Sequence, residues 1–570
     1  MHALGRTHRG RTLFLLLLAA AIGVPLFFGL YTTFDLFGLT GALGFLLVIG
    51  LVLLVAWLVH LLRTFEPDVG AFLRSTGSAI RRALAAQPAL ARFAARLAPL
   101  GRFLGRRCDP STPRGLFLTS GLGVTAVLLW AFGSLLAQVL GHGVITQVDV
   151  RVASLSDALH QGGPVRASTF FTSIGGAAVR IPASVLVFGV IWLRRPALRP
   201  LIGLVAVLVL APALSDLFRV LVRRPRPTVG AIALPGSYSF PSGHAAAAAG
   251  SFGYLAYLAV RATRRLSAHI AMSFLAAALI VGVAYSRVVL GFHWASDVLA
   301  GTVLGLAVAA GAATWVDAAA WRRVGGNRRS VRWPLVAATL SAALVGLTLA
   351  RSIADPLHAP PLVPLATTTL PEAVVDPTTI ARLQLRSETL TGRAMEPVGL
   401  VFVGSRDELE AAFEAAGWQE ADPVNIHTIL RLYSAGLHHR ANASAPVTPA
   451  FLAGRPQDLA FERAVDAGSV SKRHHTRIWA SGFALADGTP IWVASASLDD
   501  RVEIKFPSLL PNHHISPAID LERDFIARSL LGTGLVSDET RLQAVPPELG
   551  TNAAGDPFFT YGVAVVLDLR

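Results

Sequence analysis

Three short polar signatures stand among long apolar runs: Arg219-Val-Leu-Val-Arg-Arg-Pro-Arg226-Pro227, Pro241-Ser242-Gly243-His244, and Ser286-Arg287 followed after five residues by His293 and after three more by Asp297. Ionisable groups beside membrane-spanning segments are costly and point to function. The chemistry of this set suits a phosphoryl group, whose transfer spreads negative charge over the equatorial oxygens. Arg219, Arg226 and Arg287 are planar forks that match phosphate oxygens. Ser242 donates a hydroxyl, and Gly243 lets a backbone N–H approach closely. His293 and Asp297 are four apart and share one face of a helix. The carboxylate there holds one imidazole nitrogen and leaves the other to attack phosphorus. His244 is then the general acid for the leaving oxygen. Each residue alone has an ordinary reading, an interfacial arginine or a structural histidine. Their order and spacing together favour the functional one.

The flanking chain sets the architecture. Of 570 residues, 53% are hydrophobic and 15% charged, which predicts a membrane protein of more than one domain. The formal charge of +15 fits basic loops facing an anionic leaflet better than nucleic acid. The single cysteine, Cys108, excludes a disulfide framework and a thiolate metal site. Nine spans are predicted, at 12–31, 39–62, 116–140, 168–193, 201–222, 245–260, 270–290, 294–316 and 334–350. Residues 1–62 form a hairpin, since the apolar run continues past Ala19-Ala20-Ala21 and disfavours a cleaved signal. Residues 63–114, with ten arginines and three acids, read as a basic cytoplasmic loop with amphipathic helices. Residues 141–167 read as a polar loop containing Asp149 and Asp157. Arg180, within the fourth span, either points into the bundle or snorkels, and the sequence leaves both open. Asp216 is placed to pair with Arg219.

With the amino terminus inside, the basic stretches at 1–11, 63–114, 194–200, 261–269 and 321–333 fall on the cytoplasmic side. The three signatures then fall on the opposite face. The expectation is a multi-pass protein of the cell membrane, with its site and the chain after residue 350 extracytoplasmic. Residues 351–396 read as a proline-rich linker and 397–570 as a soluble α+β domain. In that domain 399–404 predicts a strand, 405–418 a helix with a Ser405/Glu408 capping box, 477–485 and 491–496 a hairpin, 519–531 a helix and 558–569 a closing strand. Three histidine doublets, His438-His439, His474-His475 and His513-His514, lack metal-type spacing, and neighbours on a strand point to opposite faces. A polar or headgroup-touching surface is the preferred reading of that region, and no metal is assigned.

The three signatures resemble those of the type 2 phosphatidic acid phosphatase superfamily, which includes lipid phosphate phosphatases and vanadium haloperoxidases. The family pattern is Lys-x6-Arg-Pro, Pro-Ser-Gly-His and Ser-Arg-x5-His-x3-Asp. The second and third are complete here. The first has Arg219 in place of lysine, in a chain with only Lys472 and Lys505 as lysines. The resemblance covers roughly residues 115–320 and implies a membrane core of six helices. It also implies metal-independent, cofactor-free hydrolysis through a phosphohistidine on His293. His244 and Asp297 complete the catalytic set, and Arg219, Arg226, Ser242, Gly243 and Arg287 bind phosphate. The implied partners are the bilayer and a lipid phosphate or polyprenyl pyrophosphate such as phosphatidic acid, phosphatidylglycerol phosphate or undecaprenyl pyrophosphate. A lipid transporter or headgroup-binding scaffold is the alternative, but binding alone needs no nucleophile. A vanadate-dependent haloperoxidase uses the same residues, and the transmembrane setting argues against it. The carboxy-terminal part resembles the LssY-type domain through Gly454-Arg-Pro-Gln-Asp-Leu-Ala-Phe461, Arg473-His-His-Thr-Arg-Ile-Trp479 and Asp520-Leu-Glu-Arg-Asp524. That resemblance implies no established activity.

Overall fold

The computed structural model describes residues 115–158, 163–194, 198–227, 237–262, 265–318, 367–422, 447–465, 472–505, 510–553 and 555–569, with a few positions at 103, 107 and 342–354. The expected hairpin at 1–62 and nearly all of the basic loop at 63–114 lie outside these residues. So does most of the ninth span at 334–350, of which 342, 343 and 345–350 are described and helical. The described residues divide into a helical unit within 47–362 and a β-rich unit within 363–570.

The helical unit contains α1 (Leu116–Leu140), α2 (Val144–Ala158), α3 (Gly163–Gly175), α4 (Ala177–Arg194), α5 (Leu198–Val222), α6 (Gly243–Ala262), α7 (Leu266–Val289) and α8 (Ala295–Asp317). The centre is α6, whose Ala245, Ala246, Ala248 and Ala249 have no exposed surface. Small residues let α8 press on it. A Cβ at Gly301 would meet the Ser242 carbonyl at 2.4 Å, and one at Gly305 would meet the Ala246 carbonyl at 2.1 Å. Association without a strong hydrophobic drive, as in lipid, relies on such close backbone approach. The outward faces are apolar, with Trp130, Leu129, Val209, Leu221, Leu275 and Val281 exposed.

Among the described residues four helices are long and apolar enough to cross a membrane: 118–140, 198–222, 267–289 and 295–317. A fifth candidate is the pair 165–175 and 177–192, bent by 58°. The expected single span at 168–193 is therefore broken at Gly176. The predicted span at 245–260 corresponds to α6, which is less apolar than those four helices. Its alanines and glycines are less apolar than leucine, and neighbouring helices rather than lipid surround it. The expected polar loop at 141–167 is corrected too, because most of it forms α2 and the start of α3.

The β-rich unit is built on a sheet of order β12-β15-β4-β10-β9-β8-β5. Its strands are β4 (Leu400–Val403), β5 (Gln419–Glu420), β8 (Leu459–Ala464), β9 (Arg473–Ala484), β10 (Pro490–Lys505), β12 (Val536–Gln543) and β15 (Val563–Leu569), with β1 (Thr368–Thr369) on β9 and β11 (Leu510–Ile515) on β10. Strands β2 (Arg386–Glu388), β3 (Ala394–Pro397), β6 (Phe451–Leu452) and β7 (Arg455–Pro456) make a second sheet, and β13 (Glu548–Thr551) pairs with β14 (Pro557–Thr560). One core joins Phe402, Leu409, Phe413, Ile478, Ile526 and Leu567, and so packs α10 (Arg406–Ala415) and α11 (Ile519–Leu531) on the main sheet. The Ser405/Glu408 capping box is present. The stretch from 367 to 396, expected as linker, instead carries β1, the single-turn α9 (Pro377–Ile380), β2 and β3. Its prolines sit at turns and at an element start, where they lack no ladder bond. The expected closing strand at 558–569 is two strands, broken at Tyr561-Gly562. Gly562 has φ +76°, and a Cβ there would stand 1.9 Å from the Val545 carbonyl.

Candidate active site

The signatures meet at one end of the helical bundle. Helix α5 delivers Arg219 in its last turn and stops before Pro225 and Pro227, which cannot continue it. Arg219 Nε donates to the Pro241 carbonyl at 3.1 Å, and its Nη1 pairs with Asp216 at 2.9 Å. Its guanidinium lies against Gly243, where a Cβ would meet Nη2 at 2.4 Å. Ser242 is fully buried, and its backbone N–H donates to the Asp297 carbonyl at 2.9 Å, joining the second signature to the third.

The turn between α7 and α8 presents His293. The backbone N–H groups of Phe292 and His293 both donate to the Arg287 carbonyl, at 3.1 and 3.2 Å. Arg226 Nη1 donates to the Phe292 carbonyl and lies 3.4 Å from His293 Nε2. Arg287 is buried, donates from Nη1 to Thr172 Oγ1 at 2.8 Å, and lies 4.0 Å from the Phe292 ring centroid. Thr172 sits one turn before the break at Gly176, and Arg180 one turn after it. Arg180 points into the bundle, with Nη1 donating to Ser251 Oγ at 2.9 Å, which settles its open direction. His244 is the second residue of α6 and follows Gly243, against which the Arg219 guanidinium lies. The eight site residues named from sequence are thus gathered on these elements.

One expected contact is looser than spacing suggested. His293 Nδ1 stands 3.6 Å from Asp297 Oδ2, beyond a hydrogen bond, and has no hydrogen-bond partner among the described residues. Asp297 instead accepts from the Trp294 N–H at 3.0 Å through Oδ2 and from Arg224 Nη1 at 2.7 Å through Oδ1. Arg224 also pairs with Asp149 at 2.7 Å. Sequence reasoning passed over Arg224, Asp149, Ser296 and Thr172. Arg224 lies inside the first signature and could have been singled out. Asp149 and Thr172 carry no spacing rule that ties them to positions 75 or more residues away.

Fold and site together define a class: helical membrane proteins with a cationic, histidine-bearing cluster of residues at one end. The chain belongs to the PAP2 superfamily, whose model matches residues 200–321. A second model, LssY C-terminus, matches residues 378–563. Among curated proteins, the chain is 30% identical over 183 residues to phosphatidylglycerophosphatase B of Bacillus subtilis, covering 32% of this chain and 89% of that one. Among solved structures it matches the PAP2-type phosphatidylglycerolphosphate phosphatase of Bacillus subtilis at 28% identity, covering 32% of this chain and 91% of that one, with a TM-score of 0.30.

Proposed function

We propose that this chain is an integral membrane phosphatase that hydrolyses a lipid-linked phosphate or pyrophosphate at the extracytoplasmic face through a phosphohistidine on His293. The observation that carries the reading is the Arg226 guanidinium beside His293 Nε2, at 3.4 Å. A phosphate held by that arginine lies next to the nitrogen that attacks it. Nδ1 lies on the Asp297 side, and Nε2, on the Arg226 side, is the nucleophile. Arg219, Arg226 and Arg287, with the Ser242 hydroxyl and the Gly243 N–H, hold the equatorial oxygens. Nε2 forms the bond to phosphorus, the bond from phosphorus to the lipid oxygen breaks, and His244 gives that oxygen its proton. In the second step His244 takes a proton from water, whose oxygen displaces His293 and releases phosphate. No metal enters either step. The name of the Bacillus relative makes phosphatidylglycerol phosphate the first substrate to try, beside phosphatidic acid and undecaprenyl pyrophosphate.

The test is phosphate release from these lipids by purified protein in excess chelator. His293→Ala should lower turnover by about 10⁴-fold or more, as loss of a nucleophile does, while lipid binding persists. Chelator-sensitive release, or near-normal turnover in the variant, overturns the mechanism. The face is tested by reporter fusions active only outside the cytoplasm, placed after Arg265, Arg332 and Arg570. Silence, silence and activity are expected. Activity after Arg332 or silence after Arg570 removes the ninth span and the shared compartment of site and carboxy-terminal unit.

A further inference from the structure

Helix α8 starts at Ala295, and its first-turn N–H groups have no intrahelical acceptor. Asp149, on α2, supplies one. Its Oδ1 accepts from the Ser296 N–H at 2.8 Å, and its Oδ2 accepts from the Ser296 hydroxyl and from Arg224 Nη2. Arg224 turns its other arm to α8, where Nη1 donates to Asp297 Oδ1 at 2.7 Å and to Ser296 Oγ at 2.8 Å. The guanidinium lies 5.3 Å from the Trp294 ring centroid, and Trp294 Nε1 donates to the Pro225 carbonyl at 2.9 Å. Asp149 and Asp297 are 1% and 0% exposed. One arginine thus joins α2, the loop after α5 and the start of α8. Among the described residues no hydrogen bond ties Asp149 or Arg224 to Arg219, Arg226 or Arg287.

We propose that Asp149 is a positioning residue for the nucleophile: it divides the Arg224 fork, so that Arg224 grips only one oxygen of Asp297 and leaves the other turned to His293. The inference rests on the proposed phosphohistidine reaction. A guanidinium facing a lone carboxylate takes both oxygens in parallel. With Asp149 holding Nη2, only Nη1 reaches Asp297. Asp297 Oδ2 then stays with the Trp294 N–H and on the His293 side. Both carboxylates are buried, so neither is left charged without the shared arginine except at high free energy. Asp149 never touches the phosphate in this arrangement. Its effect reaches the reaction through Arg224 and Asp297.

The experiment is steady-state kinetics on the purified full-length chain, with inorganic phosphate as competitive inhibitor. Wild type, Asp149→Asn, Asp149→Ala, Arg224→Gln and the Asp149→Asn/Arg224→Gln double variant are compared. Asparagine keeps the size of the side chain and an acceptor for the Ser296 N–H, but it turns a donor toward Arg224. A displacement near 1 Å at a reacting group lowers rate on the order of 100-fold, so Asp149→Asn should lose about that much kcat. KM and inhibition by phosphate should stay at wild-type values, which also shows that the variant is folded. The double variant should lose no more than Arg224→Gln alone, because the two residues act as one unit. Wild-type kcat in Asp149→Asn with a loss only in Asp149→Ala reduces Asp149 to a helix cap and overturns the proposal. A loss carried by KM and weakened phosphate inhibition overturns it as well. If wild type works, His293→Ala is dead and Asp149→Asn is normal, this proposal alone fails. A wild type that releases no phosphate overturns both readings.

Discussion

Both units bury arginines, histidines and acids, but they balance them differently. In the β-rich unit Arg473, Arg523, His474 and His514 each meet an acid, while buried Arg477 donates to the Thr448 carbonyl. Arg473 meets Glu462 at 2.6 Å and Asp499 at 2.9 Å, Arg523 meets Asp520 at 3.1 Å and Asp524 at 2.9 Å, His474 meets Glu522 at 2.8 Å, and His514 meets Asp500 at 3.0 Å. Burial pushes the Glu462 carboxyl up to about 8, against the pull of Arg473, so even this matched set is held at some free-energy cost. At the end of the helical bundle the balance tips. Asp149 and Asp297 are taken by Arg224, and Asp216 alone pairs with Arg219. Arg287 bonds to a hydroxyl and lies on a ring, and its Nε has no hydrogen-bond partner among the described residues. Buried charge left unmatched by protein is stable when a ligand supplies the counter-charge. On the proposed function, the surplus of cations at the end of the bundle is the place kept for the phosphate.

The contrast predicts where mutations act. Arg473→Ala removes the guanidinium that both Glu462 and Asp499 accept from and should lower the stability of the β-rich unit by about 3 kcal/mol. Urea unfolding followed by tryptophan fluorescence measures it, and turnover below the transition should be unchanged. A loss under 1 kcal/mol would show that this matched set contributes little. The effect at Arg219 is smaller. If Arg219 grips phosphate as proposed, Arg219→Ala should lower kcat/KM on the order of 100-fold, about 2.7 kcal/mol. Arg219→Lys keeps the charge and should retain most activity. Equal activity in the two variants moves Arg219 to a structural role beside Asp216, and the surplus of cations then shrinks by one.

The histidine doublet on β9 shows what strand geometry gives at once. His474 and His475 point to opposite faces, one to Glu522 on α11 and the other toward Asp499 on β10, 3.4 Å away. The period of two foretold that separation, though not which acid each would meet. His513 lies among residues whose side chains are not described, and His438-His439 lies outside the described residues altogether. Among the described residues no group of three or more candidate ligands could hold a metal ion.

What the sequence determined by itself was local and periodic. Long apolar runs marked helices, a capping box marked α10, and strand-like runs about a turn marked the β9–β10 hairpin. Short signatures with fixed spacing named eight site residues, because each signature places its residues by local geometry alone. Tertiary structure decided how those pieces complete one another. It showed helices where a polar loop was expected at 141–167, and within them Asp149 meets Arg224, a partner that no neighbour in sequence announces. It broke the fourth span at Gly176, so that Thr172 and Arg180 reach α7 and α6 from two directions. It drew 367–396 into the β-rich unit, where edge pairing outweighs a proline-rich composition. It also gave Asp297 to Arg224 rather than to a short bond with His293. Spacing of four fixes a shared helix face, but the nearest buried charge fixes where the carboxylate points, and that charge comes from another part of the chain.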